Sequence, residues 1–227
     1  MKVVLTDYAY DTLQPFSDVY QAAGVEFIPL QCKSKQEVLQ ATEYADGVMT
    51  HYAHIDREVI DNLKNCKIII RSAVGVENID VEAANQRGIS VANVPDYCIE
   101  EVSDYVILLL LASAKKFCVL ERMVQRGEWD YAITKPSDTI HGKTLGLVGC
   151  GNIARAVARK AKVFDMDIIG CDPGVTEQEV AKYGIHLLPQ EKVLQDSDFL
   201  SLHAPLNRYT KHMINRETLS QMKPGAI

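Results

Sequence analysis

The sequence predicts an α/β protein with two parallel-sheet domains and a long helix between them. Short β-rich runs alternate along the chain with stretches in which apolar residues recur at every third or fourth position. This alternation is typical of parallel strands joined by crossover helices. It stops after Pro95 and resumes at Thr144, and a long apolar stretch that begins at about Ile99 lies between the two series. We therefore expect one domain over residues 1–98 and a second over residues 99–227.

Four β-rich runs and two helical segments make up the predicted first domain. The run at 67–73 has an apolar centre, as expected of a strand that is covered on both faces of its sheet. Asp56 is a predicted N-cap, because a carboxylate at that position can accept an N–H of the first helical turn. The predicted strands lie at 2–7, 25–30, 47–51 and 67–73, and the predicted helices at 34–45 and 56–65.

A long helix opens the predicted second domain. Its apolar pattern runs from about Ile99 to Lys116 and extends toward Arg126. A looser segment, 127–143, follows and holds the single tryptophan. Alternation then resumes, with predicted strands at 144–149, 167–172 and 199–204, a predicted helix at 155–164 and a further helix between the last two strands.

Composition and charge exclude several classes of protein. Of the 227 residues, 47% are hydrophobic, which is enough to bury a core and argues against disorder. The net charge of −6 and the lack of a basic cluster argue against nucleic acid as a direct partner. The most apolar run, residues 105–112, is too short to span a bilayer, so we expect a buried helix and no membrane partner.

The cysteines and the N-terminal segment indicate the compartment. Six cysteines are present and none forms a C-x-x-C pair. The N-terminus turns acidic within seven residues and has no apolar signal-peptide core. Reduced thiols in a cytoplasmic protein are the natural interpretation. No metal site is predicted.

The sharpest motif is the segment T-L-G-L-V-G-C-G-N-I-A at 144–154, in which an apolar strand runs into G-x-G-x-x-A ahead of a helix. Gly149 permits the tight turn, Gly151 lets the backbone approach a pyrophosphate, and Ala154 is small enough for the helix to pack on the strand. The N–H groups at the start of the helix then hold the phosphate charge.

An acidic residue follows this loop at the spacing of a dinucleotide site. Asp172 ends the next predicted strand, 23 residues after Gly149. A carboxylate there accepts hydrogen bonds from the ribose hydroxyls of NAD and would repel the additional phosphate of NADP. The alternative is an ordinary turn with a capping aspartate, which the combination of strand, helix and acid disfavours.

Five segments, in the same order along the chain, resemble motifs of the D-isomer-specific 2-hydroxyacid dehydrogenases. They are R-S-A-V-G-V-E-N-I-D at 71–80, N-V-P at 93–95 ahead of the long helix, the phosphate loop with C-D-P at 171–173, L-H-A-P-L at 202–206 with Thr210, and M-K-P-G-A at 222–226. Within the family the chain resembles the phosphoglycerate dehydrogenase branch, and the segment N-V-P-D-Y-C at 93–98 with the glutamate after it resembles the branch of the C-terminal-binding-protein corepressors. Two positions depart from the family pattern, since Ala154 replaces the usual third glycine and Glu77 replaces a common aspartate.

The resemblance implies two Rossmann-like or flavodoxin-like domains, the second incomplete, with NAD as cofactor and a 2-hydroxy or 2-oxo acid as substrate. The backbone of the 74–76 turn would hold the substrate carboxylate near the nicotinamide, although the segment alone favours a plain strand-to-helix turn. The implied substrate-binding residues are Val74, Gly75 and Val76, and the implied cofactor-binding residues are Val74, Gly149, Gly151, Asn152, Ile153, Asp172, His203, Ala204, Pro205 and Thr210. His51 follows the third predicted strand and is a further substrate-binding candidate, with an exposed or capping histidine as the favoured alternative.

The catalytic Arg, Glu and His of the family would lie beyond Ile227, so the resemblance implies no catalytic residue in this chain and a truncation inside a strand. In the family the His takes the hydroxyl proton as hydride leaves C2 for the nicotinamide, the Glu supports the imidazole, and the Arg binds the substrate carboxylate. We therefore expect an NAD-dependent oxidoreductase that acts on a 2-hydroxy acid or its 2-oxo partner, with residues 1–227 alone inactive.

Two alternatives stay open. The first is a non-enzymatic, NAD-responsive binding protein like the corepressors. The second concerns the helix from about Ile99, which would carry the contacts of a homodimer or else be a core helix of a monomer.

Overall fold

A computed structural model describes residues 1–135 and 139–227 of the chain. These residues form two compact units, Met1–Tyr97 (unit 1) and Cys98–Ile227 (unit 2). Every strand pair in the described part of the chain is parallel. The predicted α/β class with two parallel sheets is therefore confirmed.

Unit 1 has a five-stranded sheet in the order β2-β1-β3-β4-β5. Its strands are β1 (Lys2–Leu5), β2 (Glu26–Pro29), β3 (Gly47–Thr50), β4 (Ile68–Arg71) and β5 (Ser90–Ala92), and its helices are α1 (Gln14–Ala22), α2 (Lys35–Thr42), α3 (Arg57–Asn62) and α4 (Val81–Gln86). All the strands and helices predicted for this domain are present. Asp56 caps α3 as predicted, because its carboxylate accepts the Val59 N–H at 3.1 Å.

Apolar side chains pack on both faces of this sheet. Leu5 in β1, Val48 in β3 and Ile69 in β4 are fully buried, and Ile60 of α3 packs in the same core as Val48 and Ile69. Burying one such side chain contributes about 1.5–3 kcal/mol. The carboxyl ends of these strands, where parallel sheets place their ligand-binding residues, are therefore firmly positioned.

Unit 2 has a four-stranded sheet in the order β8-β7-β6-β9. Its strands are β6 (Thr144–Val148), β7 (Asp167–Cys171), β8 (Ile185–Leu187) and β9 (Phe199–Leu202), and its α-helices are α5 (Ile99–Ala114), α6 (Phe117–Gln125), α7 (Asn152–Ala161), α8 (Glu177–Ala181), α9 (Gln190–Asp196) and α10 (Arg216–Ser220). The looser segment predicted at 127–143 includes Pro136, Ser137 and Asp138, which lie outside the described residues. Short 3-10 turns cover Tyr131–Thr134 and Lys162–Phe164.

The predicted long helix is present but ends earlier than its apolar pattern. It ends at Ala114, and Lys116 adopts a left-handed conformation with φ of 52° before α6 begins. Helix α5 packs on α7, and Ala158 and Ala161 of α7 are fully buried in the same apolar core as Leu110 and Ala114 of α5.

The chain pairs with β9 at its last described residue. The Ile227 N–H donates to the Asp198 carbonyl at 3.0 Å, and the Ile227 carbonyl accepts the Leu200 N–H at 2.8 Å. The turn at Pro224 and Gly225 thus leads onto the edge of the sheet. Among the described residues, none of the helices combines the length and the apolar character needed to cross a membrane.

Candidate functional site

The phosphate loop of unit 2 runs from the end of β6 to the start of α7. Gly149 has φ of 89°, a conformation that favours glycine. A Cβ atom built on Gly149 would lie 2.8 Å from both the Ala204 nitrogen and the His203 carbonyl carbon. The loop therefore passes directly against the end of β9, and Gly149 is needed for its small size as well as for its conformation.

Gly151, in contrast, faces open space. A Cβ atom built on it would meet no atom within 4 Å. Gly151 is the N-cap of α7, and within the described residues the N–H groups of Gly151, Asn152 and Ile153 have no hydrogen-bond partner. Unpaired N–H groups at the start of this 10-residue helix, together with its dipole, attract an anion.

Cys150 is held on both sides by side chains. Its N–H donates to Oδ2 of Asp172 at 2.8 Å, and its carbonyl accepts Nε–H of Arg155 at 2.9 Å. Burial, with a smaller effect from the charge of Asp172, raises the pKa of the Cys150 thiol to about 12. The thiol therefore stays protonated and acts as a small buried side chain beneath the loop.

Asp172 lies immediately after β7 and is half-buried. Its Oδ2 accepts the Cys150 N–H, and its Oδ1 accepts the Gly174 N–H at 2.7 Å. Each carboxylate oxygen keeps further acceptor capacity for a hydroxyl group. Asp172 is thus next to the phosphate loop and able to accept more hydrogen bonds, as a ribose-binding residue must be.

His203 and Ala204 follow β9 and border the phosphate loop through their contact with Gly149. Nε2 of His203 and Oγ of Ser201 are 3.0 Å apart. Burial lowers the pKa of His203 to about 4. The imidazole is therefore neutral at pH 7 and adds no positive charge beside the loop.

Thr210 lies in the turn that follows Pro205. Its hydroxyl donates to the Pro205 carbonyl at 2.5 Å and accepts the Asn207 N–H at 2.9 Å. The hydroxyl is thus engaged within its own turn, so the structure assigns it a role in shaping the segment after β9.

In unit 1, the turn at 74–76 follows β4. Nη1 of Arg71, a buried residue, pairs with Oε2 of Glu77 at 2.6 Å, and this hydrogen bond lowers the pKa of Glu77. A Cβ atom built on Gly75 would collide with the Glu77 carboxylate and lie 3.2 Å from Nη1 of Arg71. The ion pair therefore packs directly against Gly75 and gives Glu77, a departure from the family pattern, a role in holding the turn.

His51 begins the turn after β3, and its backbone is fixed. The buried Asp7 carboxylate accepts the N–H groups of His51, Tyr52 and Ala53 at 3.2, 2.6 and 3.1 Å. Nε of Arg71 donates to the His51 carbonyl at 3.3 Å. The imidazole stacks on the Tyr52 ring with the centroids 4.1 Å apart, and its Nδ1 is buried without a partner among the described residues.

Three side chains that shape these turns were missed by the sequence analysis: Asp7, Arg71 and Arg155. Asp7 and Arg71 each place a charge directly at or after the end of an apolar strand. A charged side chain at that position of a buried parallel sheet requires hydrogen-bonding or oppositely charged partners. The sequence therefore contained a signal that Asp7 and Arg71 hold neighbouring segments. Arg155 carried no comparable signal, because a charged residue on an amphipathic helix is ordinary.

Residues 107–227 match the model of a protein family described as D-isomer specific 2-hydroxyacid dehydrogenase, NAD binding domain. The chain belongs to this family. It is 34% identical over 233 aligned residues to a D-3-phosphoglycerate dehydrogenase of Methanocaldococcus jannaschii, covering 100% of this chain and 43% of the relative. It is 38% identical to a glyoxylate reductase of Korarchaeum cryptofilum, covering 86% of this chain and 60% of the relative.

Solved structures of the family share the fold. A glyoxylate reductase from Paecilomyes thermophila superposes with a TM-score of 0.91 at 26% identity, covering 100% of this chain and 71% of that one. A 3-phosphoglycerate dehydrogenase of Entamoeba histolytica with bound NAD+ gives a TM-score of 0.81 at 27% identity, covering 100% and 70%. The chain spans between 43% and 60% of the length of the two curated relatives named above.

The geometry of unit 2 fits the NAD that this domain of the family binds. The space beside Gly151 is open, the N–H groups at the start of α7 are unpaired within the described residues, and Asp172 has acceptor capacity left. These are the groups that a pyrophosphate and a ribose require.

Proposed function

We propose that the protein is an NAD-dependent oxidoreductase that transfers a hydride between NAD(H) and a 2-hydroxy acid or its 2-oxo partner. The observation that carries this proposal is the phosphate loop of unit 2, with unpaired N–H groups at the start of α7 and the Asp172 carboxylate beside it. Hydride exchange at C2 of the substrate is the chemistry that NAD supplies when bound. Residues 99–227 serve as the cofactor domain and residues 1–98 as part of the substrate domain.

The cofactor is held mainly by backbone groups in this proposal. Gly149 brings the loop against β9, and the N–H groups of Gly151, Asn152 and Ile153 bind the pyrophosphate. The Asp172 carboxylate accepts the ribose hydroxyls and disfavours the 2′-phosphate of NADP through its charge. The residues after β9, which are His203, Ala204, Pro205 and Thr210, complete the proposed cofactor contacts within unit 2.

The substrate carboxylate is bound by the N–H groups of the 74–76 turn. The conformation of this turn is fixed before any ligand binds, because the Arg71–Glu77 ion pair packs against Gly75 and Nδ2 of Asn93 donates to the Val74 carbonyl at 2.6 Å. Such preorganisation lowers the cost of ordering the turn when an anion binds. His51, with its unpaired Nδ1, is the proposed further contact to the substrate.

A homodimer that forms through α5 is supported by an exposed apolar surface. Tyr105, Leu108 and Leu109 on α5 are 62%, 56% and 52% exposed, and Phe117 of α6 is 59% exposed. Several large apolar side chains exposed on one helix are typical of a protein–protein interface. The six free cysteines support a cytoplasmic location.

An NADH oxidation assay on the native protein tests this function. The assay supplies NADH and a panel of 2-oxo acids that includes glyoxylate and hydroxypyruvate. We expect NADH oxidation with at least one of these acids. Residues 1–227 are expected to bind NADH, because they hold the phosphate loop and Asp172. NADH binding by the native protein without turnover of any 2-oxo acid would favour the corepressor-like alternative.

A further inference from the structure

We propose that Arg155 is a positioning residue for the phosphate loop, which aims the Gly151 N–H at the cofactor by holding the Cys150 carbonyl. This inference rests on the proposed cofactor site and names a residue that acts on it through the backbone. The proposal concerns the donor at Nε of Arg155 and not the positive charge of its guanidinium.

The Cys150 carbonyl needs a partner from outside the helix. The first backbone hydrogen bond of α7 runs from the Arg155 N–H to the Gly151 carbonyl at 3.0 Å, so the Cys150 carbonyl lies one residue before the helical ladder. Cys150 is fully buried, and a buried unpaired carbonyl is costly. Nε–H of Arg155 supplies the missing hydrogen bond at 2.9 Å.

Fixing this carbonyl also fixes the Gly151 N–H. The carbonyl of Cys150 and the N–H of Gly151 belong to the same peptide group, which is planar and, when trans, points the two in opposite directions. With its oxygen directed at Arg155, the peptide directs the Gly151 N–H away from Arg155. That N–H has no partner within the described residues and lies next to the open space around Gly151.

The preceding peptide is fixed from the other side of the loop. The Cys150 N–H donates to Oδ2 of Asp172 at 2.8 Å. Both polar backbone groups of Cys150 are thus held by side chains from different elements, one from α7 and one from the end of β7. The loop therefore has its binding conformation before any ligand arrives, which reduces the ordering cost of binding.

Arg155 is itself held in place. Its guanidinium carbon lies 5.7 Å from the centroid of the Tyr183 ring, within the range of a cation–π contact. Nearby Glu179 has a lowered pKa, mainly because it accepts hydrogen bonds from Thr176, and the charge of Arg155 is among the lesser causes. These contacts engage the guanidinium on the side of α8, so the proposal gives it no direct contact with a phosphate.

Two substitutions separate the donor from the charge. Arg155→Gln places an amide nitrogen at the same distance along the side chain as Nε, so it keeps the donor and removes the charge. Arg155→Lys keeps the charge but has a methylene group at that position. Arg159→Gln, which removes an exposed charge one turn further along α7, is the matched control.

The test is calorimetric titration of the wild-type chain and these variants with NADH, ADP-ribose and adenosine. We expect Arg155→Lys to lose about tenfold in affinity for NADH and ADP-ribose, as for one lost hydrogen bond. We expect adenosine, which lacks a pyrophosphate, to bind Arg155→Lys with the same affinity as wild type. Arg155→Gln and Arg159→Gln are expected to stay within about threefold of wild type for all three ligands.

Several outcomes would overturn the proposal. One is wild-type affinity in Arg155→Lys, and another is a loss in Arg155→Gln as large as in Arg155→Lys, which would assign the effect to charge. An equal loss for adenosine and NADH would show that Arg155 only maintains the fold. Failure of the wild-type chain to bind NADH would overturn the proposed function together with this inference, whereas the other outcomes leave the proposed function intact.

Discussion

At the scale of single residues, the two glycines of the phosphate loop have separable roles. Gly149→Ala places a Cβ atom against the His203–Ala204 backbone at a φ of 89°, so we expect it to destabilise unit 2 by about 2 kcal/mol or more. Gly151→Ala meets open space and should change the free energy of unfolding by less than about 0.5 kcal/mol. Because its Cβ occupies the space that the pyrophosphate approaches, NADH affinity should fall by about tenfold or more.

Chemical denaturation and NADH titration of both variants check this pair. Each variant is the control for the other, since both add one methyl group to the same loop. Equal loss of stability in the two variants would contradict the assignment, and so would wild-type NADH affinity in Gly151→Ala.

Asp7 makes the stability of unit 1 depend on pH. Burial alone would raise its pKa, but hydrogen bonds from the Tyr52, His51 and Ala53 N–H groups and the Thr6 hydroxyl outweigh burial and hold the pKa below its usual 3.8. The contribution of the carboxylate is therefore complete above pH 3.8 and is lost as the pH falls through the lower folded-state pKa. We expect Asp7→Asn to lower the free energy of unfolding by about 1.5–3 kcal/mol at pH 7.

Urea unfolding of wild type and Asp7→Asn across acidic and neutral pH measures this effect. The difference between the two should shrink in the acid range, where the wild-type carboxylate becomes protonated. The exposed Asp11→Asn variant is the control and should match wild type. A difference that stays constant down to the lowest pH would show that the carboxylate charge of Asp7 contributes nothing.

At the scale of elements, Lys160 connects α7 to the start of α5. Its ammonium group donates to the Glu100 carbonyl, the buried Ser103 hydroxyl and the Asp104 carboxylate at 3.1, 2.6 and 2.5 Å. The ammonium group also pairs with the Glu100 carboxylate at 2.8 Å. We expect Lys160→Met to lower the free energy of unfolding by about 1 kcal/mol, a small value because the carboxylates of Glu100 and Asp104 are exposed.

Denaturation of Lys160→Met against Lys192→Met, an exposed lysine on α9, measures the contribution of this link. An equal stability of the two variants would show that the α5–α7 connection is carried by apolar packing alone.

The predicted elements were those with long or strongly alternating patterns. β5 and β8 have three residues each, too few for a periodic signal, and were missed. α1 was missed as well, since its apolar face is short and is only partly buried, with Phe16 and Tyr20 packed on the sheet. The predicted long helix continues beyond Ala114, whereas α5 ends there. The break was missed because it lies at the left-handed Lys116, and no glycine or proline marks it in the sequence.

The tight turn at Gly149 and the position of Asp172 beside it could be predicted, because backbone geometry limits which residues a dinucleotide loop accepts. The network around the turns could not. Arg71 ends β4 and Glu77 lies in the turn after it, whereas Asp7 and His51 follow the neighbouring strands β1 and β3. The contact between Asp7 and His51 depends on the strand order, and the Arg71–Glu77 pair depends on the conformation of the turn. No local pattern in this chain specifies either of them.

At the scale of the whole molecule, the exposed face of α5 predicts self-association. Leu108 is 56% exposed, so Leu108→Glu should leave the monomer fold intact while placing a charge in the proposed interface. We expect the wild-type chain to have the mass of a dimer by light scattering and Leu108→Glu to have half that mass. Val163→Glu is the control, because Val163 is 79% exposed and lies outside α5 and α6.

If Leu108→Glu is still a dimer, the dimer interface does not lie on this face of α5. If the wild-type chain is a monomer, the proposed homodimer is wrong. Either result leaves cofactor binding by unit 2 unaffected, because the phosphate loop and Asp172 are contacted by side chains of the same unit.

The central claim, that unit 2 binds NAD through its phosphate loop and Asp172, is tested most directly by titrating the chain with NADH and NADPH. The wild-type chain should bind NADH more tightly than NADPH. In Asp172→Ala the affinity for NADH should fall by about tenfold or more, and the preference for NADH over NADPH should be lost. Asp167→Ala, at the other end of β7, should behave as wild type. Equal wild-type affinity for the two cofactors, or a preference that survives Asp172→Ala, would contradict the account.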